Sequence, residues 1–403
     1  MAKPATQQTA MFVLRRLRQA GYCAYFAGGS VRDRLMKRRT HDYDIATDAT
    51  PKQVRKVFSH VLLVGAQFGV AVVVHEKQTV EVATFRTDAT YSDGRRPDAV
   101  TFATPREDAL RRDFTINGMF YDPVAREVID YVGGQRDIER GIVRTIGSPD
   151  ERFSEDYLRM IRAVRFAVRF EFTLEPATRR AIKKYAGKVV GVSGERICDE
   201  LTKMLALPSA ATALAMLADT GLAAHILPAR FSAGWAEAIA RAAALAKRND
   251  TTLMLMSLLG DVPAKAANRR LRHWGASNVA RSAVGCAHKH WSTWHTLADA
   301  PLCDFKRMMA NEHFNRLRTL WRFLEARETG RTTQSTRIAR RAGAIDPRQV
   351  APTPFVTGAD LLATGVKEGP ALGTILNTLY DAQLNETLTT RKAAMAMAKQ
   401  LIG

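Results

Sequence analysis

The apolar positions of the first third of the chain follow both helix and strand spacing. In residues 11–20 they recur every three or four positions, which predicts a helix. In residues 65–74 and 79–85, β-branched residues gather into short runs that predict strands. A second helix is predicted from Pro51, with Thr50 as its N-cap. The first third therefore mixes helices and strands.

Beyond residue 146 the strand pattern fades, and blocks of alanine, leucine and arginine with helical spacing continue almost to the C-terminus. A chain of 403 residues exceeds what one hydrophobic core usually fills, so several domains are expected. We predict an α+β protein whose mixed sheet lies within residues 1–145. Two helical regions, 146–207 and 208–403, should follow.

The formal charge of +20 and the pI near 10.2 indicate a polyanionic partner, with nucleic acid ahead of an anionic membrane. No apolar run approaches the ~20 residues that span a bilayer, so a soluble protein is predicted. The four cysteines form no Cys-x-x-Cys pair, which is typical of a reducing compartment. No signal peptide is recognisable, so we expect a cytoplasmic protein, although a transit peptide stays open.

Two aspartates two positions apart, Asp42 and Asp44, closely follow the glycine-containing segment GGSVRD at residues 28–33. On a strand, such positions face the same side, so both carboxylates could bind one Mg²⁺. Gly29 leaves room for a triphosphate, and Arg32 could bind its oxygens. An Asp-x-Asp alone is more often a solvated turn, but the adjacent glycines favour nucleotidyl transfer.

A third acid is expected near this pair, and Glu81 is the best candidate because it lies between Val80 and Val82. A strand would turn Glu81 away from both valines. A solvated glutamate on an edge strand is the alternative. Further on, Arg112 could hold phosphate or ribose, and Asp113 and Asn117 could orient the sugar; a helix start with a paired Arg and Asp is the alternative.

Residues 155–167 predict an amphipathic helix with one apolar face. The other face carries an acid and four arginines, whose crowding favours a bound anion: Asp156, Arg159, Arg162, Arg165 and Arg169. Asp156 and Arg159 offer an acceptor beside donors, which complements the base edges of cytosine and adenine and mismatches those of uracil and guanine. A simple intrahelical salt bridge is the alternative.

In the second half of the chain, we expect four tryptophans to lie in the core and part of the arginines between 265 and 348 to contact RNA.

Five segments in order, at residues 28–33, 42–44, 111–117, 155–159 and 195–201, resemble the motif set of class II tRNA nucleotidyltransferases. This family contains the bacterial CCA-adding enzymes and poly(A) polymerases. The resemblance implies a polymerase-β-like nucleotidyltransferase head, then an all-helical neck, body and tail. It also implies that Asp42 and Asp44 bind catalytic Mg²⁺, and that Gly29 and Arg32 bind the triphosphate. The residues that would bind the incoming nucleotide, with Asp156 and Arg159 selecting C and A, are Arg112, Asp156, Arg159, Arg162 and Arg165.

Within this family, residues 65–70 resemble the CCA-adding type, and the loop at residues 91–98 resembles one needed to add the terminal A. We therefore expect a template-independent enzyme that adds CCA to tRNA from CTP and ATP, with release of pyrophosphate, and whose helical domains bind the acceptor arm. An A-adding enzyme and a poly(A) polymerase stay open as alternatives, as does a non-catalytic RNA-binding module. The sequence gives no indication of oligomeric state.

Overall fold

The computed structural model describes residues 3–4, 6–40, 42–63, 69–88, 100–228 and 235–402. The loop at residues 91–98 and most of the segment 65–70 lie outside these ranges, so the features that favoured CCA addition within the family are not described. Within these ranges, no helix is both long and apolar enough to cross a bilayer.

Strands concentrate in the first third, as the residue pattern predicts. They are β1 (Lys3–Pro4), β2 (Ala24–Ala27), β3 (Asp44–Thr47), β4 (Val61–Leu62), β5 (Val70–His75), β6 (Gln78–Thr84), β7 (Arg86–Asp88), β8 (Val100–Phe102), β9 (Phe120–Asp122), β10 (Glu127–Ile129), β11 (Ile142–Val143) and β12 (Thr173–Leu174). The main sheet has the order β10-β9-β2-β3-β6-β5-β4, with β1 beside β6. Because β3 and β6 are parallel and the other neighbours in that order antiparallel, the sheet is mixed.

The helices that accompany this sheet are α1 (Gln7–Gln19), α2 (Gly29–Leu35), α3 (Pro51–Val57), α4 (Pro105–Leu110) and α5 (Gly134–Glu139). The predicted start of α3 is confirmed: Thr50 and Gln53 form a reciprocal capping box, and Pro51 occupies the first turn. One face of the sheet packs in a core that includes Leu14, Phe26 and Ile45. The other carries a smaller aromatic cluster that includes Phe85 and Phe120.

Helices dominate the rest of the chain. They are α6 (Pro149–Glu155), α7 (Leu158–Phe170), α8 (Pro176–Tyr185), α9 (Gly194–Leu205), α10 (Ala210–Asp219), α11 (Ala223–Ile226), α12 (Trp235–Leu245), α13 (Thr251–Leu259), α14 (Ala264–His273), α15 (Asn278–Lys289), α16 (Leu302–Met309), α17 (Phe314–Thr329), α18 (Thr333–Ala344), α19 (Gly358–Ala363), α20 (Pro370–Leu384) and α21 (Arg391–Ile402). The predicted α+β class is thus confirmed. The short parallel pair of β11 with β12 adds a strand to the region predicted as all-helical.

The chain divides into two compact units. The first contains residues 1–249 and 272–276, and the second contains residues 250–271 and 277–403. The predicted borders at 145 and 207 both fall within the first unit, so the division into head, neck and body stays a prediction.

Candidate active site

A tight turn between β2 and α2 opens the candidate site. Gly28 has a φ of +65°, and a Cβ atom there would lie 3.2 Å from Nη1 of Arg112. Only glycine accommodates both constraints. Gly29 begins α2, and the buried Arg32 follows, donating hydrogen bonds to Oδ1 of Asp33 and Oδ1 of Asn117. The turn therefore places backbone without side chains next to the guanidinium group of Arg32.

The predicted carboxylates lie at the start of β3. Asp44 is the first residue of this strand and Asp42 precedes it by two, and both line the same cleft as Gly28. In the parallel register, Ile45 lies opposite Val82, so Glu81 is one position earlier on β6, beside Asp44. Glu81 is exposed between two buried valines, as the alternation predicts.

Negative charge accumulates around Asp44. Burial, and then the charges of Glu81 and Asp42, raise the pKa of Asp44 to about 6. Among the described residues, no group of three or more acidic, histidine or cysteine side chains converges into a ready-made metal site. Mg²⁺ is commonly bound by one or two carboxylates and completed by phosphate oxygens and water. The pair of Asp42 and Asp44, mutually repulsive without a cation, fits that mode.

A hydrogen-bonded chain of side chains forms one wall of the cleft. The partly buried carboxylate of Asp113 accepts hydrogen bonds from Nε and Nη2 of Arg162 at 2.9 and 2.7 Å, and from Nδ2 of Asn117 at 3.2 Å. Burial alone would raise the pKa of Asp113, but the charge and hydrogen bonds of Arg162, the hydrogen bond from Asn117 and the charge of Arg159 together lower it. Through Asn117 the chain reaches Arg32. These predicted site residues are therefore fixed relative to one another.

Arg112 is oriented by an acid that the residue pattern did not single out. Asp108 lies on α4 and accepts hydrogen bonds from Arg111 and Arg112 at 2.7–3.1 Å. Burial would raise the pKa of Asp108, yet the two guanidinium groups lower it. Asp108 thus stays charged and holds both arginines at the cleft.

The prediction of one helix over residues 155–167 is wrong, because two helices meet there. α6 ends at Glu155, Asp156 is extended with φ −156°, and α7 begins at Leu158. An Asp156 oxygen accepts from the Leu158 backbone N–H at 3.0 Å. Aspartate favours such capping over a helix interior, which explains the interruption. Asp156 and Arg159 therefore share a helix start rather than one helical face.

Both proposed base-reading side chains are held by other residues. Asp156 accepts from Nη1 and Nη2 of Arg196 on α9 at 3.2 and 2.7 Å. Arg159 pairs with Glu155 and donates to the backbone oxygen of Arg152 at 3.0 Å. Both are largely buried, with 7–8% exposure. The guanidinium of Arg196 was missed as a site element because only its motif, at residues 195–201, had drawn attention.

The arginines on α7 are not left to repel one another. Arg162 pairs with Asp113, and Arg165 pairs with the buried Glu200 on α9 at 2.5 Å. The ring of Phe166 lies under the guanidinium of Arg165 at 4.3 Å. The crowding of these arginines was expected to favour a bound anion. Because protein carboxylates supply part of the counter-charge, the crowding does not by itself require one.

All of the predicted site residues except Glu81 border one cleft of about 670 Å³. Its lining contains the predicted residues Gly29, Arg32, Asp42, Asp44, Arg112, Asp113, Asn117, Asp156, Arg159, Arg162 and Arg165, and further cations at Arg86, Arg111, Arg169 and Arg196. Two acids thus lie at one place in a cleft otherwise dominated by guanidinium groups. Such a cleft can bind a polyphosphate beside a cation.

Comparisons with known proteins agree with this geometry. Residues 24–144 match the poly A polymerase head domain, and residues 171–232 match a family model described as a probable RNA and SrmB-binding site of polymerase A. The CCA-adding enzyme of Geobacillus thermodenitrificans is 44% identical over 282 residues, 68% of each chain. That of Geobacillus kaustophilus is 48% identical over 225 residues, which span 56% of this chain and only 55% of that relative.

The same likeness extends over the whole fold. The crystal structure of the Bacillus stearothermophilus CCA-adding enzyme in complex with CTP superposes with a TM-score of 0.75 at 33% identity, covering 98% of this chain and 97% of that one. With the head-domain match and the 44% identity, this chain belongs to the CCA-adding enzyme family of tRNA nucleotidyltransferases.

Proposed function

We propose that this protein adds C, C and A to the 3′ end of tRNA from CTP and ATP, releasing pyrophosphate at each step. The observation that carries the proposal is the single cleft in which Asp42 and Asp44 lie among nine arginines, in a chain of the CCA-adding family. Residues 1–145 would perform the chemistry and residues 146–207 would recognise the base. Residues 208–403 would bind the acceptor arm by shape and phosphate contacts, in the cytoplasm.

The family is metal-dependent, and we infer Mg²⁺ as the ion, held by Asp42 and Asp44. When bound, the metal stabilises the charge on the phosphates and lowers the pKa of the attacking hydroxyl. The negative charge of Glu81 beside Asp44 increases the affinity of the two aspartates for a cation. The paired acids thus define where the primer hydroxyl and the α-phosphorus meet.

The triphosphate would lie along the turn at Gly28 and Gly29, where no side chain intervenes. Arg32 is oriented by Asn117, and Arg112 is oriented by Asp108. Because both guanidinium groups are fixed before the nucleotide arrives, little side-chain entropy is lost on binding. They hold the leaving pyrophosphate in line with the incoming 3′-hydroxyl.

Base selection would fall to Asp156 and Arg159. The carboxylate accepts from the exocyclic amino group of cytosine or adenine, and the guanidinium donates to the neighbouring ring nitrogen. Uracil and guanine present a carbonyl and a ring N–H instead, which leaves buried groups unpaired. Such a mismatch costs on the order of 10⁴-fold in selectivity. Arg196 and Glu155 keep the two readers from rotating to accept the wrong edge.

The test is extension of tRNA that lacks its 3′ end, with each nucleoside triphosphate supplied alone and then in pairs. Incorporation of C from CTP, followed by A from ATP, is the expected result. An A-adding enzyme or a poly(A) polymerase would incorporate only A, and a non-catalytic RNA-binding module would incorporate nothing.

A double variant, Asp42→Ala with Asp44→Ala, serves as the matched control in that assay. It should lose extension while keeping its affinity for tRNA. Persistent extension by the double variant would refute the assignment of these two acids.

A further inference from the structure

A second pocket lies in the first unit, next to the candidate active site but separate from it. It has a volume of about 310 Å³, and its polar and aromatic lining includes Arg34, Lys37, Arg38, Thr40, Tyr43 and Tyr121. None of the residues that line it is acidic. The function proposed above assigns no role to this pocket.

The pocket and the cleft use opposite sides of the same two elements. Asp42 and Asp44 line the cleft, whereas Tyr43 between them lines the pocket, because successive residues of an extended chain face opposite ways. On α2, Arg32 lines the cleft and Arg34 lines the pocket. The pocket therefore lies behind the catalytic acids, with α2 between them.

Four exposed cations follow one another at the end of α2, and we call them the α2 patch: Arg34, Lys37, Arg38 and Arg39. In the part of the chain that the structure describes, none of the four pairs with a carboxylate. Arg34 instead lies over the ring of Tyr121 at 4.2 Å, which leaves its N–H edge available. The helix dipole stabilises cations at a helix C-terminus, but this stabilisation fades within one turn and cannot account for four cations.

A capping turn at the end of α2 positions the patch. Lys37 has a φ of +53°, and the N–H groups of Lys37 and Arg38 donate to the backbone oxygens of Arg34 and Asp33 at 3.0 and 2.8 Å, which ends the helix. The turn that it makes carries Arg38 back toward α7, where Nη1 of Arg38 donates to the backbone oxygen of Arg169 at 3.5 Å. Exposed, mutually repulsive cations held together at a helix end point to a ligand of opposite charge.

Positive charge is continuous between the patch and the cleft. The ring of Phe170 lies beneath three guanidinium groups, those of Arg32 at 4.4 Å, Arg38 at 5.2 Å and Arg169 at 5.3 Å. Arg32 and Arg169 line the cleft, and Arg38 belongs to the patch. The one acid on α2, Asp33, is paired with Arg32. A chain of phosphates leaving the cleft could therefore follow these cations around α2.

We propose that the α2 patch binds backbone phosphates of the RNA primer, a few nucleotides before its reacting 3′ end. This inference rests on the proposed function, since it concerns the strand that the active site would extend. Long exposed cations with tyrosine and threonine hydroxyls beside them suit a phosphate chain. The pocket is at the lower limit of the ~300–1,000 Å³ typical of small-molecule sites, which favours this occupant over a second nucleotide.

The test compares two double variants that each remove two positive charges. Arg34→Gln with Lys37→Gln alters the patch. Lys52→Gln with Arg55→Gln is the control, since both residues are exposed on α3 and make no ion pair with any described residue. Binding of tRNA lacking its CCA end is measured by fluorescence anisotropy in EDTA, from 50 to 300 mM salt.

The patch variant should bind about tenfold or more weakly near 0.1 M salt, and its plot of log K against log salt should flatten by about 1.4 to 1.8. The control pair should change the slope little. Equal slopes for the patch variant and the control would overturn the inference. A charge-preserving pair, Arg34→Lys with Lys37→Arg, should restore the wild-type slope; loss of binding in that pair would show that the effect is structural and would also overturn it.

Extension kinetics separate this inference from the proposed function. In the patch variant, KM for tRNA should rise while KM for CTP and kcat at saturating tRNA stay unchanged. Failure of the wild-type protein to add C and A would refute the proposed function alone, because the binding slopes are measured without catalysis. Normal extension with an unchanged KM for tRNA in the patch variant would refute the inference alone.

Discussion

At the scale of single residues, Asp156 shows how a side chain proposed to read the base is kept in place. Its carboxylate is nearly buried, caps α7 through the N–H of Leu158, and is paired with both terminal nitrogens of Arg196. A carboxylate held on two sides can present only one remaining edge to a ligand. Arg196 should therefore act as a positioning residue for discrimination between nucleotides.

We predict that Arg196→Met lowers the preference for CTP over UTP by about 10- to 100-fold, as expected for a lost hydrogen-bonded positioning contact. Single-turnover extension with each nucleotide gives the ratio. Lys203→Met on the same helix is the control, because its partner Asp199 is exposed and neither residue lines the cleft. A ratio that stays at the wild-type value in Arg196→Met would contradict the positioning role.

The raised pKa of Asp44 has a consequence for pH dependence. Because its folded-state pKa is about 6, above its ordinary value of 3.8, the metal-free folded protein gains stability from Asp44 at low pH and loses it as pH rises through about 6. We predict that metal-free Asp44→Asn loses less stability than the wild type between pH 4 and 7. Urea unfolding across that range measures the difference.

The same pKa predicts that divalent metal binding weakens about tenfold per pH unit below pH 6, since a proton must then be displaced from Asp44. Titration with Mn²⁺ followed by electron paramagnetic resonance would measure this. Affinity that stays constant from pH 7 to 5 would count against Asp44 as a ligand.

Residue spacing predicted the acids of the site better than it predicted their counter-charges. The period of two on strands placed Asp42, Asp44 and Glu81 correctly on their faces. By contrast, Glu200 pairs with Arg165 across 35 positions, and such a distant ion pair leaves no periodic signal. Local residue patterns predict which face of a helix or strand carries a side chain. They do not predict ion-pair partners on other helices, because those depend on how the helices pack.

At the scale of elements, α7 and α9 are joined by charge as well as by packing. Arg165 and Glu200 are both nearly buried, with 9% and 3% of their side chains exposed. Burial lowers the pKa of Arg165, although the adjacent Glu200 charge opposes this shift. A buried pair of this kind is costly to break from one side, because the remaining charge stays uncompensated.

We predict that Glu200→Ala lowers the free energy of unfolding by about 3 to 5 kcal/mol. Arg165→Met with Glu200→Leu should recover most of that stability yet leave the KM for CTP raised, because the cleft loses a cation. Chemical denaturation and extension kinetics test the two parts. The control Asp199→Ala, which breaks an exposed pair on the same helix, should cost less than ~1 kcal/mol.

Element prediction failed where a capping residue competed with periodicity. The apolar spacing of residues 155–167 continues through Asp156, so a helical wheel gave one helix, whereas the structure has α6 and α7. The start of α3 was predicted correctly because Thr50 and Pro51 are unambiguous helix-start residues. An aspartate inside an amphipathic pattern can mark a helix boundary as strongly as Thr50 and Pro51 do.

At the scale of the whole molecule, the excess of positive charge is reduced locally by ion pairs. In the second unit, Arg307, Arg316 and Arg337 pair with Asp381, Asp250 and Asp299, so these arginines are less available to RNA than their density in the sequence indicated.

The predicted core role of the tryptophans is confirmed for three of them: Trp274, Trp294 and Trp321 are buried.

The net charge of +20 nevertheless predicts strongly salt-dependent binding to tRNA. If about six to ten phosphates are contacted, affinity should fall by about 10³- to 10⁵-fold between 50 and 200 mM salt. Exchange of base pairs in the acceptor stem should change affinity little, because phosphate contacts carry no sequence information. Nitrocellulose filter binding at several salt concentrations measures both effects, and a loss below tenfold would contradict the prediction.

The opposite orientations of Tyr43 and its two aspartate neighbours make this segment intolerant of length changes. One inserted or deleted residue between Thr40 and Asp44 would turn an aromatic ring toward the nucleotide and an acid toward the hydrophobic core beside Phe26. Divergence at this point of the chain should thus proceed by substitution, while single-codon indels there should be lethal to activity.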